Sequence, residues 1–221
     1  MCRFLLVNTS QEENHQALLK EFIVRCRQSQ EDQKDGWGLA YLSKGKLKII
    51  KDLQPVWQSL EVESLPETDF LLLHARSALE NTSVDDLNNN QPFYEQGVLY
   101  AFNGLVKKVR LKMPGRIGAH KIFNFILSKI KDLPLMEALE ASVKSLSLNS
   151  GYLRALNLLL VTGEQAAVSC NYNEEPDYFT VHYGQTDDSL VISSEPLKAT
   201  DQVMKSGQTL SFKLFKNINK L

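Results

Sequence analysis

The sequence predicts an α+β chain in which two sheets pack against each other under a cover of helices. Three observations lead there. Short apolar runs of strand length dominate both ends of the chain, while helical spacing is confined to one early segment and two central ones. Several of these runs, such as Phe4-Leu5-Leu6-Val7 and Phe70-Leu71-Leu72-Leu73, are apolar at successive positions, so strands there must be buried on both faces. The chain has 221 residues, of which 43% are hydrophobic, a mean hydropathy of -0.24, and no internal repeat or low-complexity tract, so one domain spanning residues 1–221 with one large core is expected.

Taken in order, Cys2 to Val7 reads as a buried strand. Asn8-Thr9-Ser10 then offers helix caps ahead of Ala17, Leu18, Phe22, Ile23 and Cys26, which recur at helical spacing. Cys26 thereby falls on an apolar helix face as a structural thiol. Gly38 to Leu42 and Lys46 to Lys51 flank Lys44-Gly45 as a hairpin. Asp69 to His74 and Val98 to Phe102 are short, strongly apolar and expected to pair, with an Asn/Asp/Ser-rich loop from Asn81 to Asn90 between them. Lys107-Lys108 reads as a solvated turn. Helices follow at about Ala119 to Lys131 and Leu135 to Leu146. A meander closes the chain over Leu153 to Val161, Gln165 to Cys170, Tyr178 to His182, Leu190 to Ser193 and Thr209 to Phe215, separated by Gly163, Asn171-Tyr172-Asn173, Gly184 and Gly207.

Composition narrows the function classes. A formal charge of -1 and a pI of 6.4 give no electrostatic footprint for nucleic acid or an anionic membrane. The three cysteines, Cys2, Cys26 and Cys170, are odd in number, far apart and without Cys-x-x-Cys or Cys/His spacing. Neither a disulfide framework nor a zinc site is expected, and a reducing cytoplasm fits. The N-terminus lacks a basic segment followed by a long apolar stretch, and no run reaches membrane-spanning length, so neither a signal peptide nor an anchor is expected.

Cys2 is the residue with the most chemistry. Methionine aminopeptidases generally remove Met1 before a residue as small as Cys, which puts a thiol and a free α-amine on one carbon. The thiol has a free pKa near ~8.5 and the amine titrates near ~7.7 to 8.0, so at neutral pH the amine can take the thiol proton directly or through a water. Taken alone, a Cys at position 2 is more often a small apolar strand residue. Four short motifs change that balance. Asp35-Gly36-Trp37-Gly38 precedes a strand, His74-Ala75-Arg76 ends one, Phe102-Asn103-Gly104 follows another, and Ser194-Glu195-Pro196-Leu197 leaves a late one.

In this order and spacing, Cys2 and the four motifs resemble the class II glutamine amidotransferase domain, an N-terminal-nucleophile hydrolase. The nearest subgroup is that of stand-alone members that begin Met-Cys-Arg and are related to γ-glutamyl amide hydrolases. The resemblance implies a four-layer αββα sandwich of two mostly antiparallel sheets, no cofactor and no metal. It also implies a mechanism. Cys2 attacks the side-chain amide carbon of glutamine or a γ-glutamyl compound, its α-amine takes the thiol proton and passes it to the departing ammonia or amine, and water resolves the thioester. Asn103, through its side-chain amide, and Gly104, through its backbone N–H, match the donors that hold the oxyanion. Arg76 matches the arginine that holds the substrate α-carboxylate, a task for a rigid guanidinium that binds both oxygens.

Two positions depart from the family pattern. Glutamine-specific members carry an Asp at a helix start that binds the substrate α-ammonium. Aligned on Ile122 and Phe123, the stretch here is Arg116-Ile117-Gly118-Ala119-His120, with Gly118 at the substrate-binding position and no carboxylate. The hydroxyl residue that many members place three positions after the arginine is replaced by Leu79, followed by Glu80. Arg116 and His120 raise the prospect of an anionic group where an ammonium normally sits, against the bland reading of exposed helix-start residues.

Three functions therefore remain open: a stand-alone amidase for a small-molecule γ-glutamyl-type amide, a glutaminase subunit that delivers ammonia to a separate acceptor synthase, and a non-catalytic relative with an altered pocket. Of the other conspicuous residues, His74 reads as a core histidine and Trp37 with Gly38 as the wall beside the nucleophile. Ser194 and Glu195 fall near the active-site strands without a derivable role, and His15, His182 and Cys170 read as incidental.

Overall fold

The computed structural model describes residues 1–78 and 86–218. Leu79, Glu80 and the first half of the expected 81–90 loop lie outside the described residues. The elements in chain order are β1 (Arg3–Glu13), α1 (Gln16–Gln28), β2 (Trp37–Ser43), β3 (Lys46–Asp52), α2 (Leu60–Glu63), β4 (Thr68–Ala75), β5 (Phe93–Glu95), β6 (Val98–Val109), α3 (Gly118–Ile130), α4 (Leu135–Asn149), β7 (Ser150–Val161), β8 (Gln165–Cys170), α5 (Pro176–Phe179), β9 (His182–Gln185), β10 (Ser189–Ser193), β11 (Gln202–Val203) and β12 (Gln208–Lys213). A seven-stranded sheet runs β11-β9-β10-β1-β4-β2-β3 and a five-stranded sheet runs β12-β8-β7-β6-β5.

Side chains alternate along each strand, and this periodicity sorts the apolar runs into layers. Phe4, Leu6, Phe70 and Leu72 of the first sheet meet Leu99, Ala101, Leu159 and Val161 of the second in a central core. Their alternates Leu5, Val7, Leu71 and Leu73 face outward onto Leu19, Phe22 and Cys26 of α1. On the second sheet, Tyr100, Leu158 and Leu160 face Ile122, Phe123 and Ile126 of α3 and Leu139 of α4. The result is a four-layer αββα sandwich, and the doubly apolar runs are explained by burial on both faces.

Four expectations need correcting. β1 continues through Asn8-Thr9-Ser10, which do not cap a helix: Asn8 accepts from the Phe215 N–H at 2.8 Å and donates to the Asp69 carbonyl, both contacts of a strand residue. The strands at 69–74 and 98–102 do not pair with each other. Each is buried on both faces and needs two strand neighbours; β4 finds β1 and β2, β6 finds β7 and the short edge strand β5. β6 also runs on to Val109, so Asn103-Gly104 and Lys107-Lys108 lie within a strand instead of in turns. Finally, Tyr178 starts no strand: Pro176–Phe179 is one helical turn opened by proline, and β9 begins only at His182. Cys26 is buried against the first sheet, as expected.

Candidate active site

The alternation that builds the core also builds the site. Phe4 and Leu6 point between the sheets, and so does Cys2 by the same parity. Phe70, Leu72 and His74 share that face of β4, and Leu99, Ala101 and Asn103 share it on β6. Arg3 pairs with Ala75, which puts Cys2 and Arg76 at the next facing position. Polar residues thus break the apolar layer at one end of the sandwich.

A cavity of about 640 Å³, counted out to solvent, opens at that end. Cys2, Arg76, Gly104 and Gly118 all line it. Asn103 is fully buried and donates through Nδ2 to the carbonyl of Cys2. Sequence reasoning placed these five residues in one site, and the fold brings them together.

Cys2 is only partly buried, and its sulfur lies 3.4 Å from the Ser77 nitrogen and 3.5 Å from the Ser77 carbonyl oxygen. Burial pushes the thiol pKa up, against the opposing pull of the N-terminal ammonium, the Ser77 N–H, Arg76 and Arg3. The resting sulfur is therefore a thiol that needs a base, and not a standing thiolate.

Arg76 is buried, with Nη1 donating to Asn90 Oδ1 at 3.1 Å; Asn90 is itself held by the Asp52 carbonyl at 2.7 Å. The Asp35-Gly36 motif braces the same segment. The Arg76 N–H donates to the Gly36 carbonyl at 2.8 Å and the Ala78 N–H to the Asp35 carboxylate at 2.7 Å, which fixes the stretch touching the thiol. Trp37 and Gly38 do not form the wall beside the nucleophile. Trp37 is packed on the α1 side of the sheet, and Gly38 lies against the Gln91 backbone.

Asn103 is oriented by a residue sequence reasoning missed. Asn157, directly across the β6–β7 ladder, donates to Asn103 Oδ1 at 3.1 Å and to the Phe179 carbonyl at 2.6 Å, while its own Oδ1 accepts from the Asn171 N–H at 2.9 Å. The Asn103 oxygen is thereby committed as acceptor, and its NH2 faces Cys2. The signal was present: an amide alone in the run Leu156 to Val161, in hairpin register with the motif asparagine.

Gly104 has φ +155°, and a Cβ there would lie 2.1 Å from the Ala155 carbonyl oxygen. Gly104→Ala is expected to lower stability by about 3 kcal/mol, or Tm by roughly 6 to 12 °C, as read by thermal melting. An unchanged Tm would mean that β6 and β7 separate more easily than this contact implies.

Ser194 and Glu195 acquire a role. Ser194 Oγ accepts from the Phe4 N–H at 2.9 Å, and its own N–H donates to the Phe4 carbonyl at 3.0 Å. Glu195 forms a buried ion pair with Arg3, whose guanidinium lies 3.7 Å over the Tyr178 ring and donates to the Tyr178 carbonyl at 3.0 Å. The late motif anchors the N-terminal strand and so places Cys2. His74 is a core histidine whose Nε2 lies 3.3 Å from the Phe102 carbonyl and so carries the proton; burial pushes its pKa down to about 3, which keeps it neutral.

The helix-start segment differs from expectation in one respect. Arg116 is paired with Asp86 at 3.0 Å, and His120 Nε2 lies 3.1 Å from the Glu95 carboxylate; neither side chain lines the cavity. What α3 presents there is Ile117, Gly118, Ala119 and Ile122, continuous with Phe102, Leu105 and Val106. A Cβ at Gly118 would meet nothing within 4 Å.

Met1 occupies the far side of Cys2. Its ammonium pairs with Glu31 and lies 3.4 Å from Tyr178 Oη, its carbonyl accepts from Gln33 Nε2 at 3.0 Å, and its side chain packs on Leu105, Ala155, Tyr178 and Phe179. Among the described residues, no helix is long and apolar enough to cross a membrane.

Comparison with known proteins bears on this geometry. No curated protein matches the chain. Among solved structures, a glutamine aminotransferase class-II domain protein from Silicibacter pomeroyi is 14% identical with a TM-score of 0.63, covering 96% of this chain and 95% of its own. A predicted glutamine amidotransferase from Pseudomonas aeruginosa is 16% identical with a TM-score of 0.62, covering 99% and 100%. Glutamine phosphoribosylpyrophosphate amidotransferase from B. subtilis is 15% identical with a TM-score of 0.67; it covers all of this chain, which spans 50% of the length of that enzyme. These likenesses show the shared fold. The family model for class II glutamine amidotransferases matches residues 1–181, and the chain belongs to that family.

Proposed function

We propose that this protein is an amidase that hydrolyses the side-chain amide of a γ-glutamyl-type small molecule through a Cys2 thioester, after removal of Met1. The observation that carries the reading is the meeting of Cys2 and the buried Arg76 in the lining of one cavity, with the oriented Asn103 amide bonded to the Cys2 carbonyl behind it. Arg76 would hold the substrate carboxylate. The freed α-amine of Cys2 takes the thiol proton as sulfur bonds to the amide carbon, and the C–N bond breaks as that proton passes to the departing nitrogen. Water then attacks the thioester, and the acid and the thiol are released. Asn103 Nδ2 and the Gly104 N–H would receive the charge that develops on the carbonyl oxygen. The three unbonded thiols fit a reducing cytoplasm as the place of action.

The substrate would differ from plain L-glutamine. Its α-ammonium needs a carboxylate partner, and α3 offers Ile117, Gly118 and Ala119 at that wall. An unpaired charge there costs on the order of 1 to 3 kcal/mol, enough to weaken glutamine roughly tenfold to a hundredfold. The apolar wall suits an acylated or absent α-amine instead. The expected result is a higher kcat/KM for an N-acyl-glutamine than for glutamine, and a gain of about tenfold for glutamine in Gly118→Asp, whose side chain has open space to enter. Glutamine clearly preferred by the wild type, with no gain in the variant, would move the ammonium site elsewhere and discard this reading of the pocket.

A further inference from the structure

We propose that the space Met1 vacates becomes a second subsite of the active centre, which takes a primary ammonium borne on an apolar body by the departing half of the substrate. The proposal rests on the reading that Met1 is removed and that Cys2 opens amides.

Met1 is held as a ligand is held. Its three chemical parts are each gripped: Glu31 with Tyr178 Oη takes the ammonium, Gln33 Nε2 of the same segment takes the carbonyl, and Leu105, Ala155 and Phe179 take the side chain. The carboxylate is built in. Arg154 pairs with the other oxygen of Glu31 at 2.6 Å and with Glu175 at 2.5 Å, so Glu31 is braced from behind independently of Met1. Gln33 is fully buried, and its Oε1 has no hydrogen-bond partner. Once Met1 leaves, its Nε2 loses the Met1 carbonyl and keeps only the carbonyl of Glu31. A buried amide and a braced carboxylate then face one apolar-floored space, and groups of this kind require partners.

The space is also in the right place. Met1 and Leu105 both line the cavity that holds the Cys2 thiol, so removing Met1 extends that cavity. Met1 is bonded to the nitrogen that becomes the catalytic amine. That amine must hand its proton to the departing nitrogen, so the departing group lies on the amine's side of the sulfur, where Met1 had been. Sulfur bonds to the acyl carbon, the C–N bond breaks, and the released amine carries the proton away past Glu31. With Met1 gone, partial burial still opposes the charged form of Glu31, and the ion pair with Arg154 favours it. The substrates that fit are γ-glutamyl-type amides of diamines or of amino-acid-like amines with an aliphatic body, in preference to amides that release only ammonia.

L-Methioninamide carries the ammonium, carbonyl and thioether chain of Met1 and serves as the probe. Titrated calorimetrically into protein shown by intact mass to lack Met1, it should bind saturably, and Glu31→Gln should weaken it at least about tenfold, the loss of one charge-assisted contact. In turnover by the wild type, the γ-glutamyl amide of 1,4-diaminobutane should exceed that of n-pentylamine, equal in length but uncharged at its end, by about tenfold in kcat/KM. The variant should bring that ratio close to one. No saturable methioninamide binding, equal binding in Glu31→Gln, or a wild-type ratio of one overturns the subsite while leaving the amidase reading intact. Methioninamide binding to a protein that opens no amide refutes the amidase and, with it, the role of this space in holding a departing amine. Retention of Met1 in active protein overturns both.

Discussion

Cys2→Ala protein is expected to be inert toward every amide the wild type hydrolyses, a loss of roughly 10⁴-fold or more in kcat/KM. The effect is large because, in the proposed mechanism, one residue supplies both nucleophile and base. Cys2→Ser should be almost as poor, since a hydroxyl is a far weaker acid than a thiol and the same α-amine cannot ionise it usefully. Cys26→Ser and Cys170→Ser should retain nearly full activity. Cys26 is buried between α1 and the first sheet, where burial drives its pKa well above the ordinary thiol value; Cys170 lies in the central core, pushed up to about 11 by burial. Neither lines the cavity. Steady-state rates of the four variants and the intact mass of the wild type, with and without a glutamine-analogue electrophile, check the assignment. Full activity with Met1 retained, or label on Cys26 or Cys170 in place of Cys2, would sink the mechanism.

What sequence made legible follows from periodicity. Doubly apolar runs such as Phe70 to Leu73 announce strands buried on both faces, and the fold places β4 between two layers as that pattern demands. The site is where the pattern breaks: Cys2, His74, Arg76 and Asn103 are members of the inward-facing set that are not hydrocarbon. Arg76, Asn103 and Gly104 are read as site residues from motif order, and Gly118 from alignment on Ile122 and Phe123, not from local physics, because an Arg at a strand end and an Asn-Gly pair have ordinary explanations. Pairing partners were not legible. β4 and β6 are equally apolar, and nothing local distinguishes a strand that pairs with the next one from a strand that belongs to the opposite sheet. Glu31 was invisible for another reason. It sits in the polar, aperiodic stretch Gln28 to Lys34, and its importance depends on Arg154, more than a hundred residues away.

Replacing Asn103 by Ala should lower kcat by roughly 10²- to 10³-fold with a smaller change in KM. The amide NH2 is aimed at Cys2 because Asn157 and the strand register leave it no other orientation. A donor fixed in this way gains most when the carbonyl oxygen becomes an oxyanion, so its loss is felt in the transition state and little in the bound substrate. The effect on folding can be separated from the effect on catalysis. Alkylation of Cys2 by iodoacetamide displaces iodide at a saturated carbon and forms no oxyanion, so its rate should stay within a few-fold of wild type if Asn103→Ala is correctly folded. Asn157→Ala should reproduce part of the kcat loss, because it frees the Asn103 amide to rotate without removing it. A variant of Asn103 that raises KM and keeps kcat would make it a ground-state binding residue. One that slows alkylation as much as turnover would make it a structural support for the N-terminal strand, and the oxyanion site would then have to be sought in the remaining donors around the thiol, beginning with the Ser77 N–H at 3.4 Å.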